Sequence, residues 1–166
     1  MITRLLSGMD TIVNWILALI MTAMLVVVSA QVWYRFVLNN PLAWSEELAR
    51  YLFVWISFLG SAVGVRMRVH LGIDLIDKIL TSGGRKVMTV LVNLLIQIFL
   101  VVVILWGIKI LKVVQFQKSA SMGIPMTWPY LAVPVGSGLM LLNSLRLTWD
   151  VLFTPDHGPD TEEDAK

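Results

Sequence analysis

Hydrophobic residues occur along the chain in four long stretches, separated by short segments in which polar residues, glycine and proline concentrate. A helix rises 1.5 Å per residue, so about 20 apolar residues cross a hydrocarbon core of about 30 Å. Each stretch reaches that length or comes close to it. The predicted spans are residues 9–36, 41–65, 85–115 and 126–152. The pattern therefore predicts an all-α integral membrane protein whose residues 1–153 form a single membrane domain of four transmembrane helices.

The second stretch differs from the others because charged residues lie close to its start. Its charge-free part, Tyr51 to Val65, is only about 22 Å long as a helix, shorter than the hydrocarbon core. The helix spans the membrane only if Glu46, Glu47 and Arg50 enter the interfacial region. There the charges must snorkel, pair with one another or meet a partner.

One face of this second helix combines charged and small residues. At 100° per residue, that face contains Glu46, Arg50, Phe53, Ser57, Gly60, Ser61 and Gly64. Lipid favours neither a carboxylate nor a row of small residues, whereas a neighbouring helix packs closely on small residues. The face is therefore expected to meet protein, with Glu46 and Arg50, four residues apart, neutralising each other.

The connection between the second and third spans predicts a short interfacial amphipathic helix. His70 and Asp74 lie on its polar side, and Leu75 and Ile79 lie on its apolar side. Two roles fit this pattern. The segment is either a connector anchored to anionic headgroups, or a surface on which His70 and Asp74 dock a larger partner.

Basic residues indicate the orientation of the spans. The densest basic cluster belongs to the same connection and comprises Arg66, Arg68, Lys78, Arg85 and Lys86. By the positive-inside rule this connection is cytoplasmic, and both termini are then cytoplasmic as well. Lys109, Lys112 and Lys118 argue against that orientation, because it places them at or near the outer face. Residues 154–166 are acidic and broken by proline, and predict a disordered cytoplasmic tail.

Three amide side chains fall within the predicted spans, where an unpaired amide is costly. Asn93 and Gln97 lie one turn apart in the third span, and Asn143 lies in the fourth. Hydrogen bonds to another helix are expected, although contact with a transported substrate also fits Asn93 and Gln97. In the fourth span, Pro134, followed by Gly136 and Gly138, should bend the helix or let another backbone approach.

Composition excludes several functional classes. The chain is 57% hydrophobic and 14% charged with a mean hydropathy of +0.78, and its net charge of +2 is too small to indicate nucleic-acid binding. It has no cysteine, so thiol chemistry and disulfides are excluded. His70 and His157 fall outside the spans, which leaves no paired intramembrane haem ligands. No catalytic, metal-binding or cofactor-binding cluster is expected, and the chain is predicted not to be an enzyme.

A stand-alone small exporter, with four helices and acting as a homodimer, is an alternative function. Such a carrier should place an acidic residue deep in a helix and bind ions at broken helices. Glu46 and Glu47 instead lie near one membrane surface, and Pro134 marks the only mid-helix break in the sequence. The sequence therefore favours a subunit role over stand-alone transport.

Three motifs extend in order from the first span to the fourth: WYRFVLNNPLAWSEELARYLFVWISFLGSAVGVR, VHLGIDLI and SMGIPMTWPYLAVPVG. Together they resemble the small membrane subunit, the Q type (DctQ-like), of tripartite ATP-independent periplasmic (TRAP) transporters. The resemblance implies a four-helix protein of the bacterial inner membrane that associates with a larger membrane subunit, here a separate chain. It also implies sodium-driven uptake of an organic acid, such as sialic acid or a C4-dicarboxylate, that a periplasmic binding protein delivers.

Within that family the resemblance implies a non-catalytic scaffolding role, with the substrate and sodium sites in the larger subunit and no cofactor in this chain. The expected partner-subunit interface comprises Arg35, Trp44, Glu46, Glu47, Arg50, Ser57, Gly60, Ser61, Gly64, His70 and Asp74. The expected docking surface for the binding protein comprises Asn39, Asn40, Leu42, Lys118, Met122 and Met126. Glu47 fits either surface, because it points about 100° away from Glu46 on the helix.

Overall fold

A computed structural model of the chain describes residues 2–67 and 82–153. Its helices are α1 (Ile2–Phe36), α2 (Ala43–Arg66), α3 (Ser82–Val114), α4 (Thr127–Tyr130) and α5 (Ala132–Phe153). Four segments are long and apolar enough to cross a membrane: Gly8–Phe36, Ala43–Arg66, Val87–Val114 and Thr127–Phe153. The predicted all-α protein with four membrane-spanning helices is therefore confirmed. The predicted interfacial helix with His70 and Asp74, and the predicted acidic tail, lie outside the described residues.

The long helices form a row. α1 packs against α2, α2 packs against α5, and α5 packs against α3, so α1 and α3 form the two edges. A row one helix thick buries little of its own surface, and the largest of its fully buried described side chains are only those of Ser45, Ser137 and Ser144. The large apolar side chains cover the outside of the helices, as expected for a protein whose solvent is lipid.

Contacts of α2 with the fourth span show that the two run parallel. Trp55 Nε1 donates to the carbonyl oxygen of Trp128 in α4 at 3.2 Å. Two turns further along α2, the carbonyl oxygen of Ala62 accepts from Asn143 Nδ2 of α5 at 2.9 Å. The connections 37–42 and 115–126 therefore lie at one end of the molecule. The start of α1, the end of α2 and the end of α5 lie at the other end.

A glycine sets the closest approach between these parallel helices. A Cβ atom added to Gly136 of α5 would lie 2.5 Å from Phe58 Cβ and 3.1 Å from the carbonyl carbon and oxygen of Phe58 in α2. No side chain larger than hydrogen fits that space, so Gly136 allows the two backbones to pack directly on each other.

The fourth span is interrupted at Leu131, between α4 and α5. Pro134 has no N–H to bond the carbonyl oxygen of Tyr130, which accounts for a break one turn before it. The Pro134 ring itself packs on α3, where its Cδ lies 3.4 Å from the Cβ position of Gly107. The prediction that the helix would be disturbed or would admit another backbone is confirmed at Pro134 and Gly136, whereas a Cβ added to Gly138 would meet no described atom within 4 Å.

Two of the three amide side chains make the predicted hydrogen bonds to another helix. Gln97 Nε2 donates to Thr148 Oγ1 at 2.9 Å and lies 3.3 Å from Ser144 Oγ, which joins α3 to α5, and Asn143 joins α5 to α2 as described above. Asn93 is buried with 6% of its surface exposed, but its amide has no hydrogen-bond partner among the described residues. The predicted bond from Asn93 to another helix is therefore absent there.

Candidate functional site

Glu47 holds the 115–126 connection against α2, at the end of the molecule where α2 begins. Its side chain is buried, although it lies in the first turns of the helix. One carboxylate oxygen accepts the backbone N–H of Ser121 at 2.9 Å, and the other accepts the hydroxyl of Tyr51 one turn further along α2. The Tyr51 hydroxyl also lies 3.3 Å from the sulfur of Met126. Glu47 therefore binds the middle of the 115–126 connection at Ser121, and Tyr51 contacts its end at Met126.

The 115–126 connection is itself tightly folded. Ser119 donates its N–H to the Ile124 carbonyl oxygen at 2.8 Å, and its hydroxyl oxygen accepts the N–H of Met122 at 3.1 Å. Gly123 has a φ of 67°, a left-handed conformation that glycine adopts without strain. This internal bonding leaves Lys118 exposed and Met122 and Met126 half-buried.

The shorter connection, residues 37–42, lies at the same end. Asn39 has a φ of 51°, which asparagine tolerates better than most residues, and the N–H of Asn40 donates to the Tyr34 carbonyl oxygen at 3.0 Å. Both asparagines are exposed and Leu42 is half-buried. The structure thus brings the six predicted docking residues to one end of the protein, in two neighbouring connections.

The predicted small-residue face of α2 is open. Ser57 and Ser61 are exposed, and a Cβ added to Gly60 or Gly64 would meet no atom within 4 Å. Nothing in the described chain covers these positions. The opposite side of the same helix packs against the rest of the chain, because Leu59, Ala62 and Val65 are buried. We call the positions Ser57, Gly60, Ser61 and Gly64 the open face of α2.

The remaining predicted interface residues are mostly exposed. Arg35 lies with its guanidinium carbon 5.6 Å from the centre of the Phe36 ring, and 43% of Trp44 is exposed. Glu46 and Arg50 are both exposed, and the structure has no ion pair between these two described residues. The expected mutual neutralisation is wrong, because the two exposed side chains do not contact each other.

At the opposite end, a cluster that we call the Asp10 clasp links three helices. Asp10 of α1 lies 3.4 Å from a guanidinium nitrogen of Arg66 in α2, and 3.4 Å from one of Arg146 in α5. Arg66 also lies 3.3 Å from Asn14 Oδ1, one turn along α1. Sequence analysis missed this cluster. An acid at the start of an apolar helix was its one sequence signal, because such an acid needs a cation nearby.

These arrangements offer binding and packing rather than chemistry. The described residues contain no group of three or more His, Cys, Asp or Glu side chains placed to hold a metal ion. The polar contacts described above hold the 115–126 connection, two helix pairs (α3 with α5, and α2 with α5) and the Asp10 clasp in place.

Comparison with known proteins adds a family match. Residues 24–154 match the family model described as "Tripartite ATP-independent periplasmic transporters, DctQ component". The small permease protein SiaQ of a sialic acid TRAP transporter from Vibrio cholerae is 24% identical over 152 residues, which cover 92% of this chain and 86% of SiaQ. The small permease protein DctQ of a C4-dicarboxylate TRAP transporter from Rhodobacter capsulatus is 31% identical over 135 residues, 75% of this chain and 60% of DctQ.

A longer protein matches as well. The sialic acid TRAP transporter permease protein SiaT of Haemophilus influenzae is 32% identical over 133 residues, 80% of this chain. The aligned segment is 22% of SiaT, so this chain spans about a fifth of that protein's length. The similar proteins are transporter permeases and not enzymes, and they do not favour a stand-alone exporter.

Proposed function

The chain belongs to the DctQ-component family of TRAP transporters as a small permease subunit, and from that membership we propose that it is a non-catalytic scaffold for a separate, larger membrane subunit. The assembly takes up an organic acid, such as sialic acid or a C4-dicarboxylate, that a periplasmic binding protein delivers. Sodium coupling belongs to the larger subunit. The multi-pass chain lies in the bacterial inner membrane with both termini in the cytoplasm.

The observation that carries this proposal is the open face of α2. α2 uses its other side to pack against α1 and α5, so the open face is not needed for the fold of this chain. Small residues at Gly60 and Gly64 let a foreign helix approach closely, and close packing drives helix association in lipid. A face built in this way suits a long helix of a larger subunit.

The six docking residues support the other half of the proposal. Asn39 and Asn40 in one connection and Lys118 and Met122 in the other present polar, basic and thioether groups at one end of the row. That end faces the periplasm in the proposed orientation. Glu47 is enclosed within this chain, so it contributes to docking by holding Lys118 and Met122 in place rather than by touching the binding protein itself.

The substitution Gly60→Leu tests the scaffold. A Cβ atom at this position would meet no described atom within 4 Å, so we expect the purified subunit to keep its thermal stability. It should nevertheless obstruct the partner helix, and a clash of about 1.4 kcal/mol already weakens association tenfold. We expect roughly tenfold less co-purification with the large permease, measured by pull-down from detergent extracts.

Ala18→Leu is the matched control, because Ala18 is an exposed small residue of the edge helix α1. It should leave co-purification unchanged. Full recovery of the complex with Gly60→Leu would contradict the assignment of the open face as the partner interface.

Reconstitution of the chain alone tests the non-catalytic role. In liposomes with an inward sodium gradient and an organic acid outside, we expect no uptake above empty vesicles, because the proposed substrate and sodium sites belong to the larger subunit. Uptake should appear when the large permease and the binding protein are added. Sodium-dependent uptake by this chain alone would refute the scaffold.

A further inference from the structure

The Asp10 clasp contains more positive than negative charge. Arg66 and Arg146 supply two guanidinium groups, and Asp10 supplies one carboxylate, so the three side chains together carry a net charge of +1. All three are partly shielded, with side-chain exposures of 23%, 25% and 28% for Arg66, Arg146 and Asp10. An uncompensated cation that is held away from bulk water attracts an anion strongly.

The hydrogen bonding of the clasp is also incomplete. Charge-assisted N–H···O bonds are normally about 2.7–2.9 Å long, whereas the contacts of Asp10 with the two arginines are 3.4–3.5 Å long. Each guanidinium has five donors. Asp10 accepts from Arg146, and Asp10 and Asn14 both contact Arg66. These described contacts use fewer donors than the two guanidinium groups carry.

A groove beside these donors is lined by both polar and apolar side chains. Its walls come from the same three helices and include Val13 of α1, Val63 of α2, and Leu139 and Leu142 of α5. Each of these residues lies about one or two turns from the clasp, in the direction of the membrane centre. Asp10 lies two residues after the start of the first span and Arg66 is the last residue of α2, so the clasp itself lies at headgroup level.

We propose that this groove binds an anionic phospholipid, with its phosphodiester between Arg66 and Arg146 and an acyl chain along the valine and leucine walls. The single negative charge of a phosphodiester matches the net charge of the clasp. A membrane lipid offers an anionic head to the two arginines and an apolar tail to the valine and leucine side chains. The lipid would join α1, α2 and α5 at the end opposite the 115–126 connection. This site is independent of the scaffold role.

Lipid titration of the purified full-length chain, followed by native mass spectrometry, tests the site. Phosphatidylglycerol should bind more tightly than phosphatidylcholine with the same acyl chains. Arg146→Gln and Arg66→Gln should each weaken phosphatidylglycerol binding by about tenfold, the effect of losing one charge-assisted hydrogen bond. Asp10→Asn should strengthen it, because the net charge of the clasp rises from +1 to +2.

The opposite sign for Asp10→Asn separates a lipid site from a purely structural ion-pair cluster. A structural cluster would lose thermal stability in all three variants and show no lipid preference in any. Arg35→Gln is the control, because this exposed arginine lies at the other end of α1. It should leave lipid affinity unchanged.

Two results would overturn the proposal. One is equal affinity of the parent chain for phosphatidylglycerol and phosphatidylcholine. The other is displacement of the lipid by inorganic phosphate at similar concentration, since a free anion gains nothing from the apolar walls. If both arginine variants fail to fold, Asp10→Asn decides alone, and weaker phosphatidylglycerol binding in that variant refutes the site.

Discussion

Replacing Gly136 with alanine should separate α2 from α5 and prevent the chain from folding stably. The added methyl group would lie 2.5 Å from Phe58 Cβ and 3.1 Å from the Phe58 backbone. Those atoms belong to the main chain or are fixed to it, so no rotamer change relieves the clash. The helices must move apart, which also lengthens the bond from Asn143 to Ala62. We expect a loss of about 3 kcal/mol or more, at the upper end of overpacking effects.

Thermal unfolding in detergent, followed by circular dichroism, measures this effect. Gly138→Ala is the matched control, since it lies two residues further along the same helix and its new Cβ meets no atom within 4 Å. Both substitutions gain the same helix propensity, about 1 kcal/mol, so their difference isolates the contact with Phe58. Equal unfolding temperatures for the two variants would show that the helices do not meet at Gly136.

The substitution Glu47→Ala should release the 115–126 connection from α2 while the four spans remain folded. Without the carboxylate, the Ser121 N–H and the Tyr51 hydroxyl lose their common acceptor, and hydrogen bonds to charged groups are the stronger kind. The connection should then open locally. Trypsin cleaves after exposed lysines in mobile segments, so cleavage after Lys118 should accelerate by roughly tenfold or more.

Glu46→Ala provides the control for this experiment. Glu46 is the adjacent residue with the same charge, but it is exposed, so its removal should leave the cleavage rate after Lys118 unchanged. Uptake by the assembled transporter at limiting binding protein should fall with Glu47→Ala and not with Glu46→Ala. Identical cleavage rates for the two variants would contradict the role of Glu47 in holding the connection.

The spans were predictable from the sequence, but the order in which they pack was not. Apolar runs about 20 residues long identify membrane helices whatever their neighbours are. They do not show that the last span lies between the second and the third, because that order depends on which side chains interlock. Gly136 and Gly60 are both glycines within spans. Only the structure shows that Phe58 occupies the space beside Gly136, while the space beside Gly60 is empty of described atoms.

The candidate site was predictable in part for a related reason. Helical periodicity correctly placed small residues on one face of α2, because that depends on local geometry alone. The partner of Glu47 was beyond such reasoning, since Ser121 lies 74 residues away in sequence. Periodicity also suggested a pair between Glu46 and Arg50, but spacing of four residues permits such contact without requiring it.

The parallel contact of α2 with the fourth span, α4 and α5, has a consequence for biosynthesis. The residues that meet there are 73 to 81 positions apart in the chain, and a polypeptide enters the membrane from its N-terminus first. During translation, the first helical hairpin must therefore wait in the bilayer with Phe58 and the Ala62 carbonyl uncovered. The middle of the protein is completed only when its final span arrives.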